Sequence, residues 1–147
     1  MSRWLIATLL LAALAGCEPD PRSDAVLFLD RVSRIDADEP IEERRRMIES
    51  LASLPLAHER VDEARDVCVE GHEKMLAAEE LQQDVASALA RYRPEDIIAA
   101  EERADLDSRL SRARTLIAQA GPLISRCHRL TADLELRYRP RRASAGR

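Results

Sequence analysis

Two long stretches of the chain, residues 57–92 and 95–138, carry small or apolar residues at alternating steps of three and four positions. Because an α-helix turns once every 3.6 residues, this spacing places those residues on one face of each helix. The two stripes comprise Val61, Ala64, Cys68, Gly71, Met75, Ala78, Gln82, Val85, Leu89 and Tyr92, and Leu106, Leu110, Ala113, Ile117, Ala120, Ile124, Cys127, Thr131, Leu134 and Tyr138. Since a short connection joins the two stretches, matched stripes predict a long antiparallel hairpin.

Two shorter amphipathic patterns precede this hairpin. The first predicts a helix over residues 24–35, and the second predicts a helix over residues 40–54 that has Pro40 in its first turn. Within the second, the triplet Arg44-Arg45-Arg46 lies among glutamates and is interpreted as a solvated helix face. The predicted fold class is therefore all-α, an elongated helical bundle built on the long hairpin with two shorter N-terminal helices.

The composition agrees with this class. The chain contains no Asn, only four Gly and few aromatic residues, so strand formers and hairpin-turn residues are scarce. Ala, Leu, Glu and Arg, which favour helices, dominate it. A length of 147 residues suits one domain with a modest core.

The dipeptide Gly121-Pro122 interrupts the second long stripe in its middle. Proline inside a helix removes a backbone donor and clashes with the preceding turn, at a cost of about 3 kcal/mol. The stripe keeps its phase across the interruption, so we expect a kink or a break at this point.

The amino-terminal segment is an apolar run over residues 4–15 in which only Thr8 is polar. Such a run is well short of the roughly twenty residues that a bilayer-spanning helix needs. Arg3 precedes the run and small residues follow it, which is the arrangement of a cleaved export signal. The segment is therefore interpreted as a signal peptide over residues 1–16.

The residues Leu14-Ala15-Gly16-Cys17 that end this run resemble the lipobox of bacterial lipoproteins. In that family the chain is cut before the cysteine, whose thiol carries a diacylglycerol and whose amino group is usually acylated too. The resemblance covers only the first seventeen residues, and it implies a membrane anchor at Cys17 and localisation in the cell envelope. The Pro-rich stretch that follows has no helical pattern, so the lipidated cysteine and a tether are predicted over residues 17–23, and the apolar periodicity predicts a helical domain over residues 24–138. Glu18, where the family's inner-membrane proteins often have Asp, favours the outer membrane facing the periplasm. The alternative is an ordinary secretory signal with an incidental cysteine.

The charge is unevenly distributed along the chain. All 27 acidic residues lie between Glu18 and Glu135, where they outnumber 17 basic residues. An acidic body with few aromatic residues argues against nucleic acid as a partner. The carboxyl-terminal segment, by contrast, is basic, and residues 139–147 are interpreted as a disordered tail. Its arginines are candidates for binding an anionic surface such as lipid head groups, and they are Arg137, Arg139, Arg141, Arg142 and Arg147.

Cys68 and Cys127 both lie on the predicted stripes, and an exported protein folds where disulfides form. We therefore predict a disulfide between the two long helices. A tight turn after residue 92 would leave Cys127 about 10 Å too far along the helix axis, whereas a looser connection through residues 94–101 restores the pairing. Otherwise both cysteines are buried small residues. His72 lies one turn from Cys68, but at most three ligands converge there, so no metal site is predicted.

No catalytic or cofactor-attachment motif occurs in the chain, so neither an enzyme nor a cofactor is expected. The role predicted first is a non-catalytic scaffold that presents helical surface to an envelope protein partner. The alternative is a periplasmic binding module or chaperone-like protein that holds a hydrophobic ligand or client between its helices. Small residues on the stripes motivate this alternative, and they are Gly71, Ala78, Ala113 and Ala120. A closed core would favour the scaffold, and an apolar opening would favour binding.

Overall fold

The computed structural model describes residues 20–93 and 95–138, and within them the chain is all-helical. No strand occurs among these residues. The four helices are α1 (Pro21–Val32), α2 (Ile41–Ala52), α3 (Glu59–Leu89) and α4 (Ala100–Tyr138). The α3–α4 interface is the most extensive contact between helices, and α4 alone, with 39 residues, is about 58 Å long. The predicted all-α class and long helical hairpin are confirmed.

Several predictions fall outside the described residues. They are the signal peptide over residues 1–16, the lipidated Cys17, and the part of the basic tail that contains Arg139, Arg141, Arg142 and Arg147. Arg137 is described, and it lies in the last turn of α4, where its Nε is 2.9 Å from an Asp133 carboxylate oxygen.

The helices α3 and α4 run antiparallel in a constant register. Cys68 is bonded to Cys127, and an ideal Cβ on Gly71 would lie 3.0 Å from the Ile124 Cδ1 atom. Farther along the hairpin the side chains of Lys74 and Gln119 are 3.5 Å apart. In these three pairs the residue number on α4 falls as the residue number on α3 rises. The antiparallel pairing therefore continues along the hairpin without a register shift.

The core-facing residues of α4 are spaced by seven, which is the period of a two-helix seam. They are Leu106, Ala113, Ala120, Cys127 and Leu134. The stripe residues between them lie at the edge of the seam, and Ile117 is 38% exposed. On α3, Met75, Gln82 and Leu89 are likewise exposed. The two helices pack along their stripes as predicted, but the buried face is narrower than the sequence pattern, because a pair of helices covers only the residues at the centre of the contact.

The main core lies at the end of the hairpin that α1 and α2 cover. Phe28 of α1, Leu51 of α2 and Val61 of α3 are fully buried there, and Leu134 of α4 packs in the same cluster. Toward the other end of the hairpin, the second core cluster consists of Val85, Ala88 and Leu106, with Leu110 packed against it. All four helices contribute to the core at one end of the hairpin, whereas only α3 and α4 contribute to the cluster at the other end. We call these the four-helix end and the two-helix end.

Helix α1 begins three residues earlier than predicted. Pro21 occupies the first turn, and the Asp20 side chain accepts a 3.0 Å hydrogen bond from the Arg22 backbone N–H. Asp before Pro is a strong helix start, because the carboxylate caps a free donor and Pro needs no acceptor there. Residues 21–23 therefore belong to the helix, and the prediction that they form part of the tether is wrong. In α2, Pro40 is the N-cap residue and not part of the first turn.

The connection between the long helices is loose, as the disulfide required. Helix α3 ends at Leu89 and α4 begins at Ala100, five residues later than predicted. The Tyr92 hydroxyl donates a hydrogen bond to the Glu102 carboxylate, and this bond raises the pKa of Tyr92. This ten-residue connection allows the register in which the two cysteines meet.

Helix α4 continues through Pro122 as one element. We predicted a kink or a break at this dipeptide, and of these two the break does not occur. Immediately after Pro122, Leu123 and Ile124 contact α3 beside Gly71, and Cys127 is bonded to Cys68. Tertiary contacts therefore hold the segment after the proline in helical register despite the lost hydrogen bond.

The two ends of the described chain lie at the same end of the molecule. An Asp24 carboxylate oxygen accepts 2.8 Å hydrogen bonds from the backbone N–H groups of Ala57 and His58, just before α3 begins. The antiparallel register brings the end of α4 to the same level, and Tyr138 packs against the main core cluster. The first helix and the last turn of α4 therefore meet at the same end of the helical domain.

Candidate binding pocket

An apolar pocket of about 540 Å³ opens between α2, α3 and α4. This volume lies in the usual range for small-molecule sites, about 300–1,000 Å³. Most of the lining residues are apolar, and these are Ile35, Ala37, Ile48, Met75, Leu76, Ile117, Gly121 and Ile124. The polar lining residues are Arg44, His72 and His128.

Two glycines on facing helices explain where the helices touch and where they separate. At Gly71 an added Cβ would lie 3.0 Å from Ile124 Cδ1 and 3.2 Å from Leu123 Cβ, closer than side chains normally pack. At Gly121 an added Cβ would meet no atom within 4 Å. Gly71 therefore permits close contact between α3 and α4, whereas Gly121 leaves space in the pocket wall.

Two apolar side chains of the pocket wall are substantially exposed. Met75 is 40% exposed and Ile117 is 38% exposed, although both lie on the apolar stripes of the two long helices. Ile48 and Leu76, by contrast, are buried. The pocket thus has a closed inner wall and an open apolar side.

Arg44 corrects the interpretation of the arginine triplet as a solvated face. Its side chain is only 10% exposed, and its guanidinium lies 2.5 Å from a Glu79 carboxylate oxygen on α3. Its neighbour Arg45 pairs with Glu80, and only Arg46 is a solvated residue with a partner, Glu43, on its own helix. Two arginines therefore attach α2 to α3, and the first of them lines the pocket.

The Nε atom of Arg44 is buried and has no hydrogen-bond acceptor among the described residues. A buried donor without a partner costs about 1–3 kcal/mol, because the group has lost its hydrogen bonds to water. The Nε atoms of Arg31 and Arg45 share this condition, but neither residue lines the pocket. Arg44 therefore lines the pocket and also carries a buried donor without a partner.

His72 of α3 and His128 of α4 complete the polar part of the pocket. Burial lowers the pKa of His72 below its usual 6.5, and electrostatic interactions with His128 and Arg44 lower this pKa further. His72 is therefore neutral at pH 7. A neutral imidazole offers one N–H donor and one acceptor nitrogen to a bound molecule.

The predicted disulfide between Cys68 and Cys127 is present, with the two Cα atoms 4.8 Å apart. The disulfide lies in the α3–α4 seam beside the pocket, and Cys127 directly precedes the pocket residue His128. Both sulfurs are used in this bond, so neither can serve as a thiolate ligand beside His72. Within residues 20–93 and 95–138, no group of three or more His, Cys, Asp or Glu residues could hold a metal ion.

The small residues that motivated a groove have a different role. Gly71, Ala78, Ala113 and Ala120 are all buried in the α3–α4 seam, where they allow close helix contact. The opening lies to one side of them and depends on Gly121 and on the position of α2. Sequence reasoning missed Ile35, Arg44 and Ile48 as pocket residues. The one available signal was the pair Arg44-Arg45 matched by the pair Glu79-Glu80 on the next helix.

Comparisons with protein families, with curated proteins and with solved structures give no match. Among the helices of the described segments, none combines the length and the apolar character needed to cross a bilayer. The pocket is therefore the principal guide to function.

Proposed function

We propose that this protein is a lipid-anchored binding protein of the bacterial envelope that holds a small, largely apolar molecule between α2, α3 and α4. The observation that carries the proposal is the pocket of about 540 Å³ with its eight apolar lining residues. A disulfide-bonded seam beside a water-accessible apolar cavity suits a binding protein with a preformed site better than a purely structural protein. An apolar opening was the feature expected to distinguish a binding module from a scaffold, so its presence favours the binding role.

The proposed anchor is supported by the lipobox-like residues Leu14-Ala15-Gly16-Cys17. Two or more acyl chains at Cys17 anchor a protein stably, at about 0.8 kcal/mol per buried methylene. Asp20 is only three residues away, and the end of α4 lies at the same end of the molecule. A lipid at Cys17 would thus bring Arg137, in the last turn of α4, toward anionic head groups, where an arginine contributes about 1 kcal/mol.

Binding, and not catalysis, is the chemistry that the pocket supports. The described residues that line it include one arginine and two histidines, without a carboxylate or hydroxyl side chain. A histidine alone lacks the nucleophile or orienting partner that hydrolytic sites use. The polar groups instead suit the orientation of a bound molecule.

The experiment uses the full chain with Cys17→Ser, which cannot be acylated, and the neutral fluorophore N-phenyl-1-naphthylamine. Its emission rises on transfer from water to an apolar site. We expect saturable binding by this protein and loss of binding in Gly121→Phe, because a side chain at Gly121 enters open space in the pocket. Ala118→Phe is the matched control, since Ala118 is exposed on the same helix and does not line the pocket. Equal binding by both variants would contradict the proposal.

A scaffold role is the second candidate, and the two-helix end of the hairpin favours it. Leu89 is 43% exposed and Ile97 is 92% exposed at this end, beyond the main core. Cross-linking in intact envelopes tests this role. The scaffold predicts a specific adduct with another envelope protein that disappears in Leu89→Asp and Ile97→Asp but persists in Gly121→Phe. Adducts that are unaffected by the two aspartates would count against it.

A further inference from the structure

The polar residues of the pocket are all basic. Arg44 is a cation, and His72 and His128 are nitrogen donors that gain positive charge on protonation. They are contributed by three helices, α2, α3 and α4, so the fold brings them together from distant parts of the chain. All three residues line the same pocket, and interactions with His128 and Arg44 contribute to the lowered pKa of His72.

The ion pair of Arg44 leaves part of its guanidinium unused. Glu79 accepts from one terminal nitrogen at 2.5 Å, and the Nε atom has no acceptor. Glu79 does not line the pocket, and its side chain is 46% exposed. The carboxylate therefore pairs with Arg44 from outside the apolar pocket, while Arg44 itself lines that pocket.

A second opening lies on the other side of Arg44, and its charge is opposite. Arg44 lines it together with three acidic residues, Asp38, Glu39 and Glu79, and its other lining residues are uncharged. An anionic group would be repelled there, whereas the apolar pocket contains no acidic lining residue among those described. The charge pattern thus directs an anion toward the pocket side of Arg44.

The rest of the pocket suits a hydrocarbon chain. Ile48, Leu76 and Ile124 line the inner part, while Met75 and Ile117 remain exposed at its open side. Such a wall offers dispersion contacts without further hydrogen-bonding groups, so the bound molecule needs only one polar end.

We infer that the ligand is a single-chain amphiphile with an anionic head group, which binds with its head group at Arg44, His72 and His128 and its acyl chain along the apolar wall. This inference rests on the proposed function and specifies the ligand class of the same pocket. Free fatty acids and monoacyl phosphates share this chemistry, and they differ in the head group.

The test is displacement of N-phenyl-1-naphthylamine from the full Cys17→Ser chain by four ten-carbon competitors. These are decanoate, decyl phosphate, 1-decanol and decyltrimethylammonium. We expect the better anion to displace the probe at about tenfold lower concentration than the alcohol, since hydrogen bonds to charged groups are worth roughly this factor or more. A preference for decanoate would identify a fatty acid, and a preference for decyl phosphate would identify a phospholipid-derived anion.

The outcomes separate this inference from the proposed function. If the alcohol or the ammonium compound competes as well as both anions, the pocket binds apolar molecules but the anionic inference is wrong. If the probe itself does not bind, both the function and the inference fail.

Two variants assign the preference to the named residues. Arg44→Met should abolish the advantage of anions over 1-decanol, whereas Arg45→Met should retain it, because Arg45 is the adjacent arginine with a similar ion pair outside the pocket. His128→Glu, at an exposed position, places a carboxylate at the pocket and should reverse the preference. It keeps the test decisive if Arg44→Met does not fold. An unchanged anion preference in a folded Arg44→Met or His128→Glu would overturn the inference.

Discussion

The seam between α3 and α4 and the pocket beside it contain similar residue types but differ in packing. The seam is closed at Gly71, where no Cβ fits without a shift, and it is bonded covalently through Cys68 and Cys127. The pocket is open at Gly121, and α2 forms one of its walls without filling the space between the helices. The comparison indicates that the seam stabilises the fold, while the pocket is free to bind.

The largest effect that would sharpen this comparison is loss of the disulfide. Paired Cys68→Ala and Cys127→Ala substitutions release a loop of 59 residues, and in the chain-entropy estimate this lowers the free energy of unfolding by about 4 kcal/mol. Urea unfolding of the variant and of the oxidised protein measures the difference. A loss below about 1 kcal/mol would show that the seam is stable without its covalent bond.

The next effect is expected at Gly71. An alanine there would lie 3.0 Å from Ile124 Cδ1 and 3.2 Å from Leu123 Cβ, so Gly71→Ala should overpack the seam and shift these side chains by a few tenths of an ångström. Overpacking of this kind typically destabilises by about 1–3 kcal/mol. Urea unfolding again provides the measurement. A stability equal to that of the unsubstituted protein would contradict the close approach that we describe.

Gly121→Ala should act in the opposite direction and by a smaller amount. The methyl group enters open space, and alanine is favoured over glycine inside a helix by about 1 kcal/mol. We therefore expect a modest rise in the free energy of unfolding, with the pocket still able to bind. A destabilised variant would show that the backbone at Gly121 needs the freedom of glycine.

The smallest expected effect is a pH dependence from His72. Its folded pKa lies below its unfolded value near 6.5, because burial, His128 and Arg44 disfavour its charged form. Between these two pKa values the unfolded chain binds the extra proton, so stability is complete above pH 6.5 and falls as the pH drops toward the folded pKa. Urea midpoints measured at pH 7.5 and pH 5 should differ more in the native sequence than in His72→Gln. Identical pH profiles would exclude His72 as the cause.

The sequence predicted the features that depend on local pattern. The helical class, the hairpin and the pairing of Cys68 with Cys127 follow from the periodicity of apolar residues and from the length of the connection. The earlier start of α1 was also readable, since Asp20 before Pro21 is a capping pattern that received too little weight. Pro122, however, shows the limit of a local rule, because contacts on either side of it maintain the helix.

The pocket could not be predicted in the same way, because it depends on where α2 lies against the hairpin. That position involves Arg44 and Glu79, which are 35 residues apart. An arginine among glutamates normally indicates a solvated surface, and only the tertiary structure shows that Arg44 is buried. Likewise, Ile117 and Met75 belong to regular stripes, yet the narrow seam leaves them at the pocket.

The most direct test of the central claim is an NMR titration of the Cys17→Ser chain with decanoate, observed at isoleucine δ1 methyl groups. The account predicts shifts or intermolecular contacts at the pocket residues Ile48, Ile117 and Ile124, and unchanged signals at Ile97 and Ile98 in the α3–α4 connection. The absence of any change at the three pocket methyl groups, or equal changes at all five, would contradict a specific ligand site between α2, α3 and α4.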